Sequence, residues 1–333
     1  MDKILILKND RVGDLFNSLD AINWILHNNK NAKIEIVLSE ISKNLSFLFK
    51  TKNVTVSYLP YHLNISNKLK LFVKILKNSF DSIYILSPKN FYYYLPLLSK
   101  SKFYAITVKN SNRSRPKKFL LKKLFKFVVN DRDNKKIGDS INSLTLELCS
   151  NSKISSSINV LNHKPILSFL FKNNLNLFSN FIHIHYKENI FYKNGWNIDK
   201  FLELIEILSK DYKIILTSDF GKFKYHEKLL NNLSHLDFDK SLNNININKN
   251  IHYLHNINTS DLFKLISISN IVISPHGAMT VMASYLKKKV IDIFDSNINI
   301  RAFREYKPNN LNYNFFIIKP DFNKMLFKIR NFL

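Results

Sequence analysis

The sequence predicts an α/β protein of two domains, each with a parallel β-sheet covered by helices. Short apolar strands alternate with amphipathic helical segments along nearly the whole chain, which is the pattern of successive βαβ units. The alternation stops at about residues 150–178, where Ser and Asn are abundant and Pro165 lies, and resumes afterwards. A chain of 333 residues also suits two domains of ordinary size. We therefore expect one domain over residues 1–160 and a second over residues 161–333.

The N-terminal half begins with a strand at 3–8 (KILILK). Apolar residues at helical spacing then predict a helix over 14–28. Further strands are predicted at 33–38, 54–59, 82–87 and 103–108, and a helix over 67–78. Strands and helices in this order form a parallel sheet with helices on its faces.

The segment 116–129 (PKKFLLKKLFKFVV) predicts a basic amphipathic helix. Its large apolar residues fall on one arc of the helix and its lysines on the other, and Pro116 suits the first helical turn. Two interpretations stay open. The helix lies on an anionic membrane surface, or it packs against the core and leaves its lysines in solvent.

The C-terminal half repeats the alternation. Strands are predicted at 181–186, 213–218, 270–275 and 290–294. Helices are predicted at 197–210, 222–234, 260–268, 278–287 and 321–333. This half is therefore expected to form a second parallel sheet.

Composition indicates a globular protein of the cytoplasm. Apolar residues make up 45% of the chain, and no run approaches the 18 consecutive apolar residues of a membrane-spanning helix. The N-terminus enters a strand at once, without the pattern of a signal peptide. The single cysteine, Cys149, fits a reducing compartment.

The net charge of +25 favours anionic partners such as phosphates, nucleotides or an acidic membrane surface. Much of this charge accompanies a general abundance of Lys, Asn and Ile, as translation of an A/T-rich gene would produce, and only seven of the 50 basic residues are arginines. No zinc-ligand spacing, RNP-type aromatic motif or helix-turn-helix signal occurs. We expect neither nucleic acid as a partner nor a bound metal.

The five glycines mark positions where the backbone is expected to exclude a side chain. Gly13 and Gly277 both lie at predicted junctions between a strand and a helix. Open α/β sheets bind ligands at such junctions, and a helix start suits phosphate. Ordinary turn chemistry is the alternative for each glycine. Asp14 follows a bend that is expected to need Gly13, and it is either a helix cap or a functional carboxylate.

Four segments resemble, in chain order, motifs of the family 9 glycosyltransferases, the heptosyltransferase-like enzymes. They are ILILKNDRVGDLFNSLDAINWIL (4–26), SFDSIYILSPKN (79–90), HIHYKENIFYKNGWNIDKFLELIEIL (183–208) and DLFKLISISNIVISPHGAMTVMASYLKKKVIDIF (261–294). The resemblance implies a GT-B fold, in which two Rossmann-like domains face each other across a cleft. It also implies an inverting, metal-independent transfer of a sugar, heptose or another, from a nucleotide-diphosphate donor to a lipopolysaccharide-type or other glycan acceptor. No cofactor is expected.

The resemblance assigns roles to individual residues. Asp14 is the expected base, although a helix N-terminus should lower the pKa of an aspartate and weaken it as a base. The residues expected on the acceptor side are Lys8, Arg11 and Gly13. The residues expected at the donor are Lys193 near the diphosphate, Glu227 at the ribose, and Ser218, His276, Gly277, Ala278, Met279 and Thr280.

The sequence departs from the family pattern in the donor region. Pro275 and His276 stand where the family has Asp-Thr, and Thr280 stands where it has His. His276 is either a donor ligand or a turn histidine, and ADP-heptose is in doubt as the donor. A nucleotide-sugar epimerase and a non-catalytic GT-B-like binding protein are the alternatives to a transferase. For a transferase we expect a cytoplasmic location, peripheral on the inner face of the cytoplasmic membrane.

Overall fold

The computed structural model of the chain describes residues 1–87, 89–107, 127–130, 181–219, 229, 233–237, 250–295, 312–317 and 322–333. These residues fall into two compact units, one up to residue 130 and the other from residue 181 onwards. The predicted boundary near residue 160 lies outside the described residues, as do Gly138, Gly221 and Glu227.

The first unit contains a six-stranded sheet in which all neighbouring strands are parallel, in the order β3-β2-β1-β4-β5-β6. Its strands are β1 (Lys3–Lys8), β2 (Lys33–Ser39), β3 (Val54–Leu59), β4 (Ser82–Ile85), β5 (Lys102–Thr107) and β6 (Phe127–Asn130). Its helices are α1 (Val12–Phe16), α2 (Leu19–Asn28) and α3 (Ile65–Asn78), with 3₁₀ segments at Glu40–Phe49 and Asn90–Leu97. The central strand β1 is buried on both faces, as its unbroken apolar run requires.

The second unit contains a seven-stranded sheet, also parallel throughout, in the order β13-β12-β11-β7-β8-β10-β9. Its strands are β7 (Phe181–Tyr186), β8 (Lys213–Ser218), β9 (Ser234–Asp237), β10 (Ile251–His255), β11 (Ile271–Pro275), β12 (Lys289–Phe294) and β13 (Tyr313–Ile317). Its helices are α4 (Glu188–Lys193), α5 (Ile198–Ser209), α6 (Thr259–Ile268), α7 (Ala278–Tyr285) and α8 (Phe322–Phe332).

The core of the second unit is organised around Trp196, which is fully buried. Gly195 has φ +76°, a left-handed conformation that glycine adopts without strain, and it reverses the chain directly after α4. The reversal brings the indole of Trp196 to 6.1 Å from the ring of Phe191, between ring centroids. This turn therefore fixes α4 against the sheet.

The structure confirms the two-domain parallel α/β class and every predicted strand to within a few residues. The prediction of a single helix over 14–28 is wrong, because the segment forms two helices, with an interruption between Phe16 and Leu19. The Ser18 hydroxyl donates a hydrogen bond to the backbone oxygen of Asp14 at 3.1 Å, which is the kind of local bond that competes with regular helix.

Two further helix predictions fail at their ends. Residues 127–129 of the predicted helix 116–129 belong to β6, which pairs with β5 from Tyr104↔Phe127 onwards. Ser234, the last residue of the predicted helix 222–234, begins β9. The pairing of these residues with a neighbouring strand outweighs their helical pattern. The other residues of both segments lie outside the described residues, except Leu229, which is helical, and Leu233, which lies in a bend.

Gly13 is not at a bend. It lies inside the first turn of α1, and it is not among the glycines with a positive φ. The helix backbone therefore does not require glycine at this position.

Candidate functional site

Each sheet has a switch point, where the connections of two neighbouring strands leave in opposite directions across the sheet. In the first sheet it lies between β1 and β4, and in the second between β7 and β11. Open α/β sheets bind their ligands outside the carboxyl ends of the strands at such a switch point. A ligand is therefore expected to bind at the loops that follow these four strands.

Two lysines, the buried Lys8 and the half-buried Lys89, join the loops after β1 and β4. Lys8 is 2% exposed, and its ammonium lies 2.9 Å from the carboxylate of Asp10 and 3.1 Å from the backbone oxygen of Leu86. The ammonium of Lys89 donates to the backbone oxygen of Asn9 at 2.8 Å. Burial lowers the pKa of Lys89. These lysines hold the switch point of the first unit together.

Asp14 lies in the first turn of α1 and is half-buried. Burial raises the pKa of its carboxyl group above the ordinary value. The charges of Lys8 and Arg11 act against this shift, and the charge of Asp10 adds to it. The expectation that the helix start weakens this residue as a base is therefore wrong, because burial outweighs it.

The three residues expected on the acceptor side occupy different environments. Lys8 has its ammonium bound inside the protein, so it acts on Asp14 through its charge. Arg11 is exposed at the N-cap of α1, and its guanidinium lies 5.5 Å from the centre of the Tyr61 ring. Gly13 is half-buried beside Asp14. Of the three, Arg11 presents its charge to solvent.

In the second unit, Lys187 lies against the start of α7. Lys187 directly follows β7, and Gly277, two residues after the end of β11, is the N-cap of α7. A Cβ atom built on Gly277 would lie 2.8 Å from the Lys187 ammonium nitrogen. In the described part of the chain this ammonium makes no hydrogen bond or ion pair. The absence of a side chain at Gly277 is what lets the cation approach the helix start.

His276 is held in one orientation. Its Nδ1 lies 2.7 Å from the Asp292 carboxylate, and its ring stacks on Phe294 at 4.4 Å between centroids. Asp292 is completely buried and also accepts a hydrogen bond of 2.5 Å from the Tyr313 hydroxyl. Burial raises the pKa of Asp292, whereas its hydrogen bonds act in the opposite direction.

A chain of hydrogen bonds links two buried histidines to the end of β8. The Thr217 hydroxyl lies 2.7 Å from His183 Nε2 and 2.9 Å from His185 Nδ1. His185 Nε2 in turn lies 3.2 Å from the carboxylate of Asp219. Burial lowers the pKa of His183 to about 3 and also lowers that of His185. The neutral imidazole of His185 thus holds the Asp219 carboxylate in place, and the side chain of Asp219 is 59% exposed.

The other residues expected at the donor are only partly brought together. Ser218 ends β8, where its hydroxyl lies 2.7 Å from that of Tyr253. Ala278, Met279 and Thr280 form the first turn of α7, and the Thr280 hydroxyl donates to the backbone oxygen of Gly277 at 3.0 Å. Lys193 is exposed in the last turn of α4.

Lys187 was not predicted from the sequence. The available signal was its place directly after the first strand of the second sheet, whereas the residue that matches the family motif is Lys193.

Neither a protein-family model nor a curated protein sequence matches the chain. Solved structures do match it over nearly its whole length. It is similar to a family 9 glycosyl transferase from Veillonella parvula, at 11% identity, with 100% of this chain and 90% of that chain covered and a TM-score of 0.70. It is equally similar to E. coli heptosyltransferase WaaC with ADP, at 12% identity, with 99% and 100% covered and a TM-score of 0.70.

Two more structures extend the comparison. E. coli ADP-heptose lps heptosyltransferase II matches at 14% identity, with 99% of this chain and 98% of that chain covered and a TM-score of 0.68. The UDP-GlcNAc 2-epimerase of Methanocaldococcus jannaschii matches less well, at 12% identity, with 99% and 92% covered and a TM-score of 0.58. At these identities the likeness concerns the fold. The chain has the fold of the family 9 glycosyltransferases, two parallel α/β domains, as the resemblance in its sequence implied.

Proposed function

We propose that the chain is an inverting, metal-independent glycosyltransferase that moves a sugar from a nucleotide-diphosphate donor to the hydroxyl group of a glycan acceptor. The observation that carries the proposal is the Lys187 ammonium against the start of α7, at the switch point of the second sheet. Its support comes from a fold shared with heptosyltransferases, one of which was solved with ADP.

The donor diphosphate is proposed to bind between Lys187 and the first turn of α7. A helix N-terminus carries partial positive charge, so a cation beside it is unfavourable unless an anion compensates both. A diphosphate meets this need, because its oxygens can accept hydrogen bonds from the free N–H groups of the helix start and from the ammonium. In the transfer step, the same positive charges would stabilise the departing nucleoside diphosphate.

Asp14 is proposed as the base that takes the proton from the acceptor hydroxyl. Burial raises the pKa of this carboxylate, which makes it a stronger base at neutral pH than an exposed aspartate. Attack of the acceptor oxygen opposite the departing diphosphate inverts the anomeric centre. Arg11 beside it supplies an exposed positive charge for an acidic group of the acceptor.

A lipid-linked acceptor at an anionic membrane surface is supported by helix α3. Four of its apolar side chains, at 45–75% exposure, share one side of the helix: Ile65, Leu69, Val73 and Leu76. The exposed lysines Lys70 and Lys77 lie beside this stripe. An apolar stripe flanked by lysines matches the chemistry of an anionic bilayer surface. No helix in the described part of the chain is long and apolar enough to cross a bilayer.

A basic membrane-facing helix before β6, over residues 116–126, is a second proposal for the same attachment. The donor sugar is not assigned, because Pro275, His276 and Thr280 replace the residues of the family pattern. The proposed place of action is the cytoplasmic side of the membrane.

The test is a donor screen followed by the variant Asp14→Asn. Thermal-shift measurements against ADP-, UDP-, GDP- and CMP-sugars identify the nucleotide that binds. With that donor and a membrane extract as acceptor, Asp14→Asn is expected to reduce transfer by about 10²–10⁴-fold, because the base is lost, while donor affinity stays nearly unchanged. A variant with the wild-type rate would show that Asp14 is not the base.

The likeness to the UDP-GlcNAc 2-epimerase fold supports one other candidate activity, that of a nucleotide-sugar epimerase. The two reactions differ in whether they need an acceptor. An epimerase converts the nucleotide sugar alone, so formation of an isomeric nucleotide sugar without any acceptor would favour it over transfer.

A further inference from the structure

His276 is the departure from the family pattern for which the structure shows the most definite geometry. It stands between β11 and α7, next to the N-cap Gly277. Its backbone N–H donates to the oxygen of Ile293 at 2.9 Å, and its ring stacks on Phe294. Backbone and ring are thus both fixed before any ligand arrives.

Asp292 holds the His276 ring through its Nδ1 edge. The Oδ2 atom that faces His276 Nδ1 already accepts a hydrogen bond from the Tyr313 hydroxyl. When Asp292 is ionised its oxygens can only accept, so Nδ1 of His276 then carries a proton and donates to Oδ2. The nitrogen Nε2, on the opposite edge of the ring, has no partner among the described residues, and the side chain is 29% exposed.

The charged groups around this ring favour an anion beside Nε2. Lys187 places its ammonium against Gly277, one residue from His276. The N–H groups at the start of α7 add partial positive charge. Asp292 lies on the other edge of the ring, where it stabilises a positive charge on the imidazole once Nε2 takes up a proton.

We propose that His276, positioned by Asp292, binds the donor diphosphate through Nε2–H and protonates it as it leaves. This inference rests on the proposed glycosyltransferase function. The bond between the anomeric carbon and the diphosphate oxygen breaks, and its electron pair stays on that oxygen. The proton of Nε2 passes to the diphosphate. The acceptor oxygen forms the new bond to the anomeric carbon, and its proton passes to Asp14.

The first experiment is a calorimetric titration of the full chain with a nucleoside diphosphate at pH 8. ADP, UDP, GDP and CDP are tried in turn, and the tightest is used in buffers of different ionisation enthalpy. An ordinary imidazole is largely neutral at pH 8, whereas a diphosphate is ionised. Formation of a complex between the diphosphate and a protonated His276 should therefore take up a proton. The unmodified chain is expected to take up a large fraction of one proton per diphosphate. The variant His276→Gln should take up almost none.

The matched control is His27→Gln, because His27 is exposed on α2 of the other unit. It should take up protons as the unmodified chain does. Binding without proton uptake by the unmodified chain, or equal uptake by His276→Gln, would overturn the role of His276 and leave the proposed function standing. Failure of all four diphosphates to bind would overturn the proposed function together with this inference.

A second measurement keeps the inference testable if His276→Gln does not fold. In the unmodified chain labelled with ¹⁵N-histidine, the diphosphate should convert one imidazole to imidazolium at pH 8. Spectra in which every imidazole stays neutral would contradict the proposal. Where the variant folds, its kcat for transfer should fall about 10²-fold, with a much smaller change in the KM for the donor.

Discussion

At the scale of single residues, burial affects the pKa of Asp14 more than its place in a helix does. A cap residue at a helix start is normally held ionised by the N-terminal charge of the helix. Here the loss of solvent raises the pKa of the carboxyl group, and nearby charges adjust it. The sequence predicted that the Asp14 carboxylate lies at the start of a helix. Its strength as a base depends on packing, which only the structure shows.

The pH dependence of transfer tests this account of Asp14. A base must be ionised, so activity should fall as the pH drops through its pKa. The positive charge of Arg11 lowers that pKa, and therefore Arg11→Gln should move the acid limb of the kcat/KM profile to higher pH. Lys30→Gln, which removes an exposed cation elsewhere in the same unit, is the control and should leave the limb in place. A limb that stays or moves to lower pH in Arg11→Gln would refute the account.

At the same scale, Lys193 and Lys187 show that a family motif alone does not identify the lysine that reaches Gly277. Lys193 follows the family spacing before Trp196, yet it lies exposed in the last turn of α4. Lys187 has no motif of its own, but it directly follows a central strand at the switch point of the sheet. The two lysines are six positions apart, and α4 lies between them. The course of this helix determines which lysine reaches Gly277. The sequence does not fix that course.

At the scale of elements, apolar runs predicted the strands well because a parallel sheet buries both faces of each central strand. The strands β10 and β13 were overlooked, since their His, Tyr and Asn residues weaken the apolar run. The strand β6 was taken for the end of a helix, because periodicity alone did not reveal its pairing with β5. The miss at β6 was therefore decided by contact with a distant strand, and the misses at β10 and β13 by the weak apolar signal of their own residues.

Helix α3 carries the prediction that belongs to this scale. Replacement of Leu69 and Val73 by Gln should reduce co-sedimentation with vesicles that contain anionic lipid several-fold, because these side chains form the exposed apolar stripe. Stability should change little, since both side chains are largely exposed. Ile41→Gln, at an exposed apolar residue of the 3₁₀ segment Glu40–Phe49, is the control.

Unchanged sedimentation of the Leu69 and Val73 variant would show that α3 is not the membrane surface. In that case the variant in which Lys118, Lys122, Lys123 and Lys126 are replaced by Gln separates the two remaining possibilities. Reduced sedimentation would locate the surface in 116–126, and unchanged sedimentation would remove the membrane proposal for both segments.

At the scale of the whole molecule, the chain consists of two parallel α/β units, each with one switch point, and each switch point bears different chemistry. The first presents a half-buried carboxylate, Asp14, beside cations. The second presents a lysine and a histidine at a helix start, Lys187 and His276. The proposed base lies in one unit and the proposed diphosphate site in the other, and sugar transfer from a nucleotide donor requires both parts.

The central claim is that the second unit binds the donor diphosphate at Lys187, and one calorimetric comparison tests it most directly. The tightest nucleoside diphosphate is titrated into the unmodified chain, Lys187→Gln and Lys193→Gln, each checked for an unchanged melting temperature. We expect Lys187→Gln to weaken binding by about tenfold or more, as loss of a charged hydrogen bond would do, and Lys193→Gln to have the smaller effect. Equal affinity of Lys187→Gln and the unmodified chain would contradict the claim.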